Sequence, residues 1–336
     1  MEKLGAGVIG LRMGASHVVG YTQHPNVEVR VVCDIDPETA SRIAQAHGIQ
    51  TWTTDYREVI DRDNLHLISV CSPDPFHCEH TVAALNAGKH VLCEKPMALT
   101  LDDCRAMIEA ADRNHRQLMV GQVCRYAPGF RTAKQILDSG RIGELFFVES
   151  EYAHNYARVP GVGGWRKDPK IGREPVIGGG IHAVDLLRWV AGECLEVSAY
   201  SNHKALTDWP KDDCTIATMK FENNILGKVF VSIGCVRPYT MRSVFYGTQG
   251  TVICDNTTPH ILLYTNEFPH STKFTTIPVS LASHNVGAEI NELVDAVLHN
   301  RSVATDGREG ARSVATCLAI VESAEKGKPV QIEHDV

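Results

Sequence analysis

Residues 6–15, AGVIGLRMGA, decide the fold of the first part of the chain. The apolar run at residues 6–9 is typical of a buried strand, and the next six residues open a helix. A dinucleotide fingerprint G-x-G-x-x-G/A belongs at this place, because backbone N–H groups and the helix dipole face a pyrophosphate there. Gly10 and Ala15 fit its first and last positions, whereas Arg12 replaces the second glycine. The loop predicts a bound dinucleotide, and Arg12 either contacts a phosphate or points outward.

A carboxylate follows the second predicted strand. Asp34 comes 20 residues after Gly14, directly behind the β-rich run at residues 27–33. An acid at this place accepts hydrogen bonds from the adenosine ribose and repels a 2′-phosphate, so NAD is predicted and NADP is disfavoured. The alternative is that Asp34 and Asp36 only cap the next helix. Asp36 suits that role better, because Pro37 follows it.

Strands and helices alternate over the first third of the chain. Strands are predicted at residues 27–33, 67–71, 89–93 and 117–120, and helices at 37–47, 77–87 and 101–114. Alternation at this spacing predicts a doubly wound parallel sheet. We therefore expect an N-terminal Rossmann domain at residues 1–121.

The pattern changes after residue 121. Alternating or β-branched runs with short polar turns predict strands at residues 144–152, 197–204, 215–221, 226–233, 243–246 and 251–254. Helices are predicted at residues 129–138, 181–191, 284–299 and 307–326. This pattern indicates a mostly antiparallel sheet. The predicted fold class is α/β followed by α+β, with a C-terminal domain at residues 122–336 built on a large open sheet.

Composition excludes several classes of protein. Of the 336 residues 43% are hydrophobic and 22% charged, which is typical of a globular chain. The net charge of −7 argues against a nucleic-acid partner. No apolar run is long enough to span a membrane or to form a signal-peptide core, so a cytoplasmic protein is expected. The 11 cysteines form no C-x-x-C pair, so no metal site is predicted and a structural role is favoured.

Five stretches resemble one known family. Residues 71–77 (CSPDPFH) and 87–96 (AGKHVLCEKP) resemble the Gfo/Idh/MocA oxidoreductases, which include glucose–fructose oxidoreductase and inositol dehydrogenase. The likeness continues through residues 139–144 (SGRIGE), 178–185 (GGGIHAVD) and 327–330 (GKPV), so it covers nearly the whole chain. It implies the two-domain fold expected above. It also implies hydride transfer between NAD and a secondary hydroxyl or ketone of a sugar, sugar derivative or inositol.

The resemblance implies that Lys95 is the acid/base and His182 its partner. A lysine can take the hydroxyl proton when burial and a neighbouring positive ring lower its pKa. Pro96 follows Lys95, and in this family the bond between them is often cis. Without the resemblance, residues 94–96 would be interpreted as a surface turn and His182 as structural. Asp185, one helical turn after His182, is a candidate for catalytic support.

One residue departs from the family pattern. The family's D-x-G-x-H motif has an aspartate four residues before the histidine, and this chain has Gly178 there. Asp185 and Glu174 are the nearest acids in sequence that could replace it. The departure puts the substrate in doubt, and to a lesser degree the activity.

The remaining site residues come from the loop, from the motifs and from their place behind predicted strands. The predicted cofactor-binding residues are Gly10, Arg12, Met13, Asp34, Ser72, Pro73, His77, Glu94, Lys95 and Gln122. The predicted substrate-binding residues are Arg125, Tyr126, His154, Trp165, Arg166 and His182. Each substrate residue could equally be a packing or rim residue. A cluster of positive charge also allows a phosphorylated or carboxylated sugar, although a solvated loop is the simpler explanation: Arg158, Arg166, Lys167 and Arg173.

Two other functions stay open at this point. Some members of the family retain NAD and cleave glycosidic bonds through a transient oxidation. A ligand sensor without turnover is the other alternative, supported only by Arg12 and by the missing aspartate. The expected partners are a small sugar or polyol and a second copy of the chain, in a homodimer or homotetramer formed through the C-terminal sheet.

Overall fold

The computed structural model describes residues 3–267, 272–282 and 284–334. Contacts between Cα atoms divide the chain into two compact units. The first unit comprises the chain up to Val123 together with Val286–Arg312, and the second comprises Cys124–Asn285 together with the chain from Ser313 onward. Each unit has its own sheet.

The first unit is built on a six-stranded parallel sheet. Its elements are β1 (Leu4–Ile9), α1 (Gly14–Gln23), β2 (Val27–Cys33), α2 (Pro37–Ala46), β3 (Trp52–Thr53), α3 (Tyr56–Ile60), β4 (Leu67–Val70), α4 (His77–Asn86), β5 (His90–Cys93), α5 (Leu101–Asn114) and β6 (Leu118–Val120). The strand order is β3-β2-β1-β4-β5-β6. The predicted Rossmann topology is therefore confirmed, and the chain crosses from one side of the sheet to the other between β3 and β4.

Buried side chains explain why these segments form central strands and covering helices. Every residue of β4 is buried, which is expected where helices cover both faces of a parallel sheet. The helix α5 begins at Thr100, whose hydroxyl accepts a hydrogen bond from the N–H of Asp103 at 3.1 Å. All cysteines are free, and burial raises the pKa of the Cys33 thiol to about 12, so this side chain packs as a neutral apolar group.

The second unit is built on a nine-stranded sheet. The elements that follow β6 are α6 (Pro128–Asp138), β7 (Leu145–Ala153), α7 (Ile181–Ala191), β8 (Cys194–Asn202), β9 (Cys214–Phe221), β10 (Leu226–Ser232), β11 (Thr240–Gly247), β12 (Gly250–Asp255), β13 (His260–Thr265), β14 (Thr275–Pro278), α8 (Val286–Leu298), α9 (Gly307–Lys326) and β15 (Val330–Gln331). The strand order is β14-β13-β12-β11-β7-β10-β9-β8-β15. All neighbouring strands are antiparallel except β7 and β10, so the predicted mostly antiparallel sheet is confirmed.

One segment near the C-terminus belongs to the first unit. The sequence predicts a single boundary after residue 121, but α8 packs on α1, where Gly20 leaves room for the side chain of Ile290. The chain thus passes into the second unit at Cys124, returns for residues 286–312 and leaves again within α9. Within the described part of the chain, no helix is both long enough and apolar enough to cross a membrane.

Candidate active site

The glycine loop of the first unit makes a sharp turn between β1 and α1. Gly10 has a φ of 87°, and a Cβ atom on it would lie 2.5 Å from the carbonyl oxygen of Cys71. A Cβ atom on Gly14 would lie 2.7 Å from Cγ1 of Val8, so this glycine lets the helix approach the strand. Arg12, at the place of the second fingerprint glycine, is exposed. Gly10 and Gly14 therefore let the loop pack closely on Cys71 and β1, and this strand–loop–helix arrangement fits a pyrophosphate at the helix N-terminus.

The two aspartates after β2 have separate roles. Asp36 caps α2, where its carboxylate accepts hydrogen bonds from the N–H of Glu38 at 3.3 Å and the hydroxyl of Thr39 at 2.5 Å. These bonds lower the pKa of Asp36, the bond from Thr39 most of all. Asp34 instead accepts a hydrogen bond from the N–H of Leu11 at 2.8 Å, which ties the end of β2 to the glycine loop. Asp36 is thus the helix cap, and the ribose role of Asp34 stays a prediction.

Gln122 carries a buried polar group just behind β6. The residue is 1% exposed, and neither atom of its side-chain amide has a hydrogen-bond partner among the described residues. A buried amide without partners costs free energy, so native proteins pair nearly all of them. Gln122 follows β6 at the carboxyl edge of the sheet, where ligands bind in open α/β folds. Together with the glycine loop, this amide fits a bound dinucleotide.

Lys95 follows β5 at the same edge of the sheet and is held by its neighbours in the chain. The Lys95–Pro96 peptide bond is cis, as the family resemblance implies. The backbone N–H of Lys95 donates a hydrogen bond to Oε2 of Glu94 at 3.1 Å. Glu94 is buried, whereas Lys95 is half-buried. A fixed backbone with a partly accessible side chain suits a group that must reach a substrate.

The carboxylate of Glu94 lies in a buried network. Its Oε1 is 3.1 Å from Nε2 of His17, and Nδ1 of His17 is 3.0 Å from the hydroxyl of Ser69. Burial raises the pKa of Glu94, but the hydrogen bond and charge of His17 and the charge of Lys95 outweigh burial and lower it. The fully buried Glu289 of α8 shows the opposite shift, because burial and the charge of Glu94 raise its pKa well above the usual value. Glu94 therefore stays ionised at neutral pH, whereas the surroundings of Glu289 favour its protonated form.

His77 connects the two motifs of the first unit. Its Nδ1 lies 2.8 Å from the carbonyl oxygen of Pro96, and its Nε2 lies 2.8 Å from that of Ser72. Burial lowers the pKa of His77, but Cys93, Asp74 and the bond to Pro96 outweigh burial and raise it to about 10. A protonated ring can donate to both carbonyl oxygens at once. His77 thus fixes the chain at Ser72 and Pro96, and Pro73 directly follows Ser72 in the sequence.

His182 lies in the second unit, in the first turn of α7. The preceding residues Val176–Gly180 form a π-helical turn, so the helical segment begins before α7 and His182 is not at its free N-terminus. A Cβ atom on Gly179 would lie 2.5 Å from the hydroxyl of Tyr156, and one on Gly180 would lie 2.6 Å from Val231. The glycines are therefore needed for space.

Aromatic side chains surround His182. Its ring stacks on Tyr152 with centroids 6.2 Å apart, and the Tyr152 hydroxyl is 2.9 Å from that of Tyr156. His154 lies 4.9 Å from the ring of Tyr239 and 3.3 Å, through Nδ1, from the Tyr152 hydroxyl. Burial raises the pKa values of Tyr152 and Tyr239, so both phenols stay neutral. The cluster offers hydroxyl groups and ring faces, the groups that bind polyols.

Cys124 and His284 complete the surroundings of His182. Sγ of Cys124 lies 3.3 Å from Nδ1 of His182, and the rings of His182 and His284 are 5.4 Å apart. One ligand atom from each of the three residues lies within 4.8 Å of the others, a spacing at which they could take a metal ion. A thiol-to-imidazole hydrogen bond explains the shortest of these distances without a metal. The prediction that the site uses no metal stays a prediction.

Arg125 and Asp185 form a buried ion pair within the second unit. Two nitrogens of Arg125 donate to the two oxygens of Asp185, at 2.7 and 2.8 Å. The hydroxyl of Ser313 also donates to Asp185, at 2.9 Å. The carboxylate thereby fixes the position of Arg125, a function that the sequence did not indicate. The support of His182 by Asp185 stays a prediction. So do the substrate contacts of Arg125 and of Tyr126, which is buried.

Trp165 and Arg166 lie in the segment between β7 and α7. Cζ of Arg166 is 5.4 Å from the ring of Trp165 and 5.7 Å from that of Tyr156. Trp165 itself packs on Gly161, whose added Cβ would lie 2.5 Å from the indole nitrogen. Arg166 therefore lies between Trp165 and Tyr156, one of the aromatic side chains around His182.

The chain matches the models of two adjoining protein domains. Residues 4–122 match "Oxidoreductase family, NAD-binding Rossmann fold", and residues 130–253 match "GFO/IDH/MocA C-terminal domain". Inositol 2-dehydrogenase of Salmonella typhimurium (strain LT2) is 30% identical over 252 residues, which is 74% of this chain and 72% of that protein. The chain belongs to the Gfo/Idh/MocA oxidoreductase family.

Other relatives of this Gfo/Idh/MocA enzyme match along its full length. The uncharacterized oxidoreductase YrbE of Bacillus subtilis (strain 168) is 26% identical over 99% of this chain and 98% of that protein. A solved structure of levoglucosan dehydrogenase in complex with NADH is 24% identical and has a TM-score of 0.89 over 99% of this chain and 100% of that one. That last likeness concerns the fold. The first unit is the NAD-binding domain of the enzyme.

The protonated state of His77 leads to a test by pH. We expect His77→Gln to lower the free energy of unfolding by about 2 kcal/mol near pH 6, because a buried charged hydrogen bond is lost. The pKa of His77 is about 10 in the folded chain and near 6.5 in the unfolded chain, so the charged ring stabilises the fold fully below pH 6.5. This stabilisation is lost as the pH rises through about 10. The gap between wild type and variant, measured by urea unfolding, should therefore close between pH 7 and 11.

His80 provides the matched control for this test. It lies on the same helix and binds the Ser72 hydroxyl through Nδ1 at 3.0 Å, but burial lowers its pKa to about 4. The effect of His80→Gln should stay constant between pH 8 and 11, where His80 is neutral in both the folded and the unfolded chain. A His77→Gln effect that is equally constant would contradict the charged clamp.

The separate roles of Asp34 and Asp36 lead to a second test. We expect Asp34→Ala to weaken NAD binding by about tenfold and NADP binding by less, because the carboxylate favours a free ribose hydroxyl. Asp36→Ala should lower the midpoint of urea unfolding through the lost cap and leave the NAD to NADP ratio unchanged. Fluorescence titration with both reduced cofactors measures the ratio, and equal losses in Asp34→Ala would refute the ribose assignment.

Proposed function

We propose that this enzyme transfers a hydride between NAD and a secondary hydroxyl or ketone of a sugar, sugar derivative or inositol. Lys95 is the proposed acid/base and His182 its partner. The arrangement around the half-buried Lys95 carries the proposal. The Lys95 N–H donates to the carboxylate of Glu94, which is held by His17, and His77 holds the carbonyl oxygen of Pro96. A surface turn would need no such arrangement.

The proposed residues divide the chemistry of alcohol oxidation. NAD, when bound, takes the hydride from the carbon that bears the hydroxyl group. The Lys95 amine takes the hydroxyl proton as the C=O bond forms, and it returns that proton in the reverse direction. His182, the proposed partner, forms a hydrogen bond with the substrate and orients it. Neutral Tyr152 and Tyr239 hold further hydroxyl groups of the substrate.

Two further observations support a polyhydroxylated substrate. Relatives with 30% identity are named inositol 2-dehydrogenase and levoglucosan dehydrogenase, so related chains act on ring hydroxyl groups. In this chain, a ring of aromatic and imidazole groups surrounds His182 and offers several hydroxyl and nitrogen atoms within a few ångströms. Such a lining suits a sugar or inositol ring, whose C–H faces pack on aromatic rings and whose hydroxyl groups form hydrogen bonds.

A substrate screen with variants tests the proposal. We expect absorbance of reduced cofactor from at least one sugar or polyol with NAD, and a fall in kcat/KM of about 100- to 10,000-fold in Lys95→Ala. His182→Ala should fall in the same direction. The double variant should be little slower than the slower single variant, because groups that act as a unit are not additive.

A surface lysine provides the control. Lys326→Ala removes an exposed side chain that pairs with Glu322 at the C-terminal end of α9, and its kcat/KM should stay within about twofold of the wild type. Full turnover in Lys95→Ala would refute the proposed role. Release of a free sugar without net NADH, or tight NAD binding without turnover on any substrate, would refute the dehydrogenase and favour the retaining glycosidase or the sensor.

We also propose that two or four copies assemble through the open face of the second sheet. Tyr200, Ile216 and Phe230 are cross-strand neighbours on β8, β9 and β10, and Tyr200 is 74% exposed. An exposed apolar row of this kind is typical of a buried interface. The chemistry of the row favours a second copy because the flanking Lys228–Glu149 and Lys220–Glu196 pairs carry both signs of charge.

Light scattering coupled to gel filtration tests this assembly. We expect the wild type to elute as a dimer or tetramer in the cytoplasmic pH range and Ile216→Arg to shift toward the monomer, because a charge would enter the apolar row. Gln50→Arg, exposed on the first unit, should leave the mass unchanged. A monomeric wild type, or an assembly unaffected by Ile216→Arg, would contradict the interface.

A further inference from the structure

Arg173 is a buried cation within the second unit. The residue is 6% exposed, and its Nη2 donates a hydrogen bond to the carbonyl oxygen of Gly178 at 2.9 Å. A Cβ atom on residue 178 would overlap Nη1 and Cζ of Arg173. The guanidinium therefore fills the space in which a side chain at this position would begin. Gly178 and Arg173 are two parts of one arrangement.

A second guanidinium lies against the same tryptophan. Cζ of Arg173 is 5.2 Å from the ring of Trp165, and Cζ of Arg166 is 5.4 Å from it. Nε of Arg166 is buried and has no hydrogen-bond partner among the described residues. Two guanidinium groups beside one aromatic ring make a strongly positive corner with a flat wall. We call Trp165, Arg166 and Arg173 the cationic corner.

The cationic corner shares a neighbour with His182. Tyr152 stacks on His182, and burial raises the pKa of the Tyr152 hydroxyl while the charge of Arg173 partly opposes that rise. The same hydroxyl lies 2.9 Å from that of Tyr156, over which Arg166 is placed. A ligand that reaches the imidazole of His182 therefore lies in the field of the two arginines.

The chemistry of a guanidinium limits what can bind beside it. It has five N–H donors and no acceptor, so a ligand group next to it must accept hydrogen bonds. A carboxylate matches the planar fork with two parallel bonds and brings the opposite charge. The buried Nε of Arg166 has no partner among the described residues, so an acceptor beside it would satisfy that donor. A carboxylate is planar, like the guanidinium groups and the Trp165 ring beside them, whereas a phosphate is tetrahedral.

We propose that the cationic corner is a carboxylate-binding subsite and that the substrate of the enzyme is a sugar acid. This inference rests on the proposed function, since it names the substrate class of the same site. Arg173 holds the carboxylate, Arg166 adds the second charge, and the ring carbon to be oxidised lies toward His182.

Matched pairs of neutral and acidic sugars test the substrate class. We compare glucose with glucuronate and galactose with galacturonate, and glucose 6-phosphate serves as a third arm. We expect the KM of at least one uronate to be about tenfold or more below that of its neutral parent. Added salt should raise the KM of the uronate more than that of the parent. Equal KM values, or a preference for the phosphate, would overturn the proposal.

Variants then assign the preference to Arg173. Arg173→Gln should raise the KM of the uronate by about 10- to 100-fold, and that of the neutral parent by less. Gly178→Ala, which displaces the guanidinium by a single methyl group, should reduce the ratio in the same direction. The exposed Lys170, on the same segment, is the control, and Lys170→Gln should keep the ratio within about twofold. A purely structural role of Arg173 would affect both sugars alike.

Binding measurements separate this inference from the proposed function. Thermal shift assays with NADH and a uronate need no turnover, and the uronate should stabilise the wild type more than Arg173→Gln. Stabilisation without any oxidation would support the subsite and refute the dehydrogenase. Oxidation of neutral sugars without any effect of the carboxylate would support the dehydrogenase and refute the subsite. If both variants fail to fold, the salt dependence of the wild type alone decides.

Discussion

The buried carboxylate of Glu94 is the interaction on which the proposed chemistry of the first unit depends. An ionised carboxylate inside a protein is tolerated only where hydrogen bonds and an opposite charge replace the lost water. Here His17 supplies one bond and the backbone of Lys95 the other, so the network that keeps Glu94 charged also fixes the lysine. The neighbouring Glu289 must stay protonated for the same reason, because two buried negative charges would repel each other. Removing any partner would therefore change the charge beside Lys95 as well as its position.

The sequence predicted the fold wherever local signals decide an element. The helices at residues 101–114, 181–191 and 307–326 have the predicted bounds, because a Thr100 cap or a Gly192 stop lies next to each of the first two. The short strands β3 and β15 were missed, since two residues carry no periodicity and pair only because a neighbouring strand lies beside them. The same holds for the return of α8 to the first unit. Its Glu289 looks like a polar residue of an amphipathic helix, yet it is fully buried.

The site shows the same division between local and remote information. Glu94, His77 and His182 lie in continuous motifs, so the sequence alone selects them as candidate site residues. Tyr239 and His284 carry no motif and were missed. The pairing of β11 with β7 places Met241 opposite Tyr152, and Tyr239 lies two residues before Met241. Its contact with the cluster thus follows from strand register, a property of the folded sheet that no single segment contains.

The three glycines before His182 are needed for the space around them. None of them has a positive φ, and each leaves room for a different side chain. Gly179 admits Tyr152 and Gly180 admits Val231, so these two position the helix of His182 on the sheet. Gly178 admits a guanidinium. Because one space cannot hold both a side chain at residue 178 and Arg173, losing the family's aspartate and gaining a buried cation are a single change. That change places a positive charge where the family has a negative one and leaves the helix that carries His182 intact, so it bears on the charge beside the histidine and not on its position.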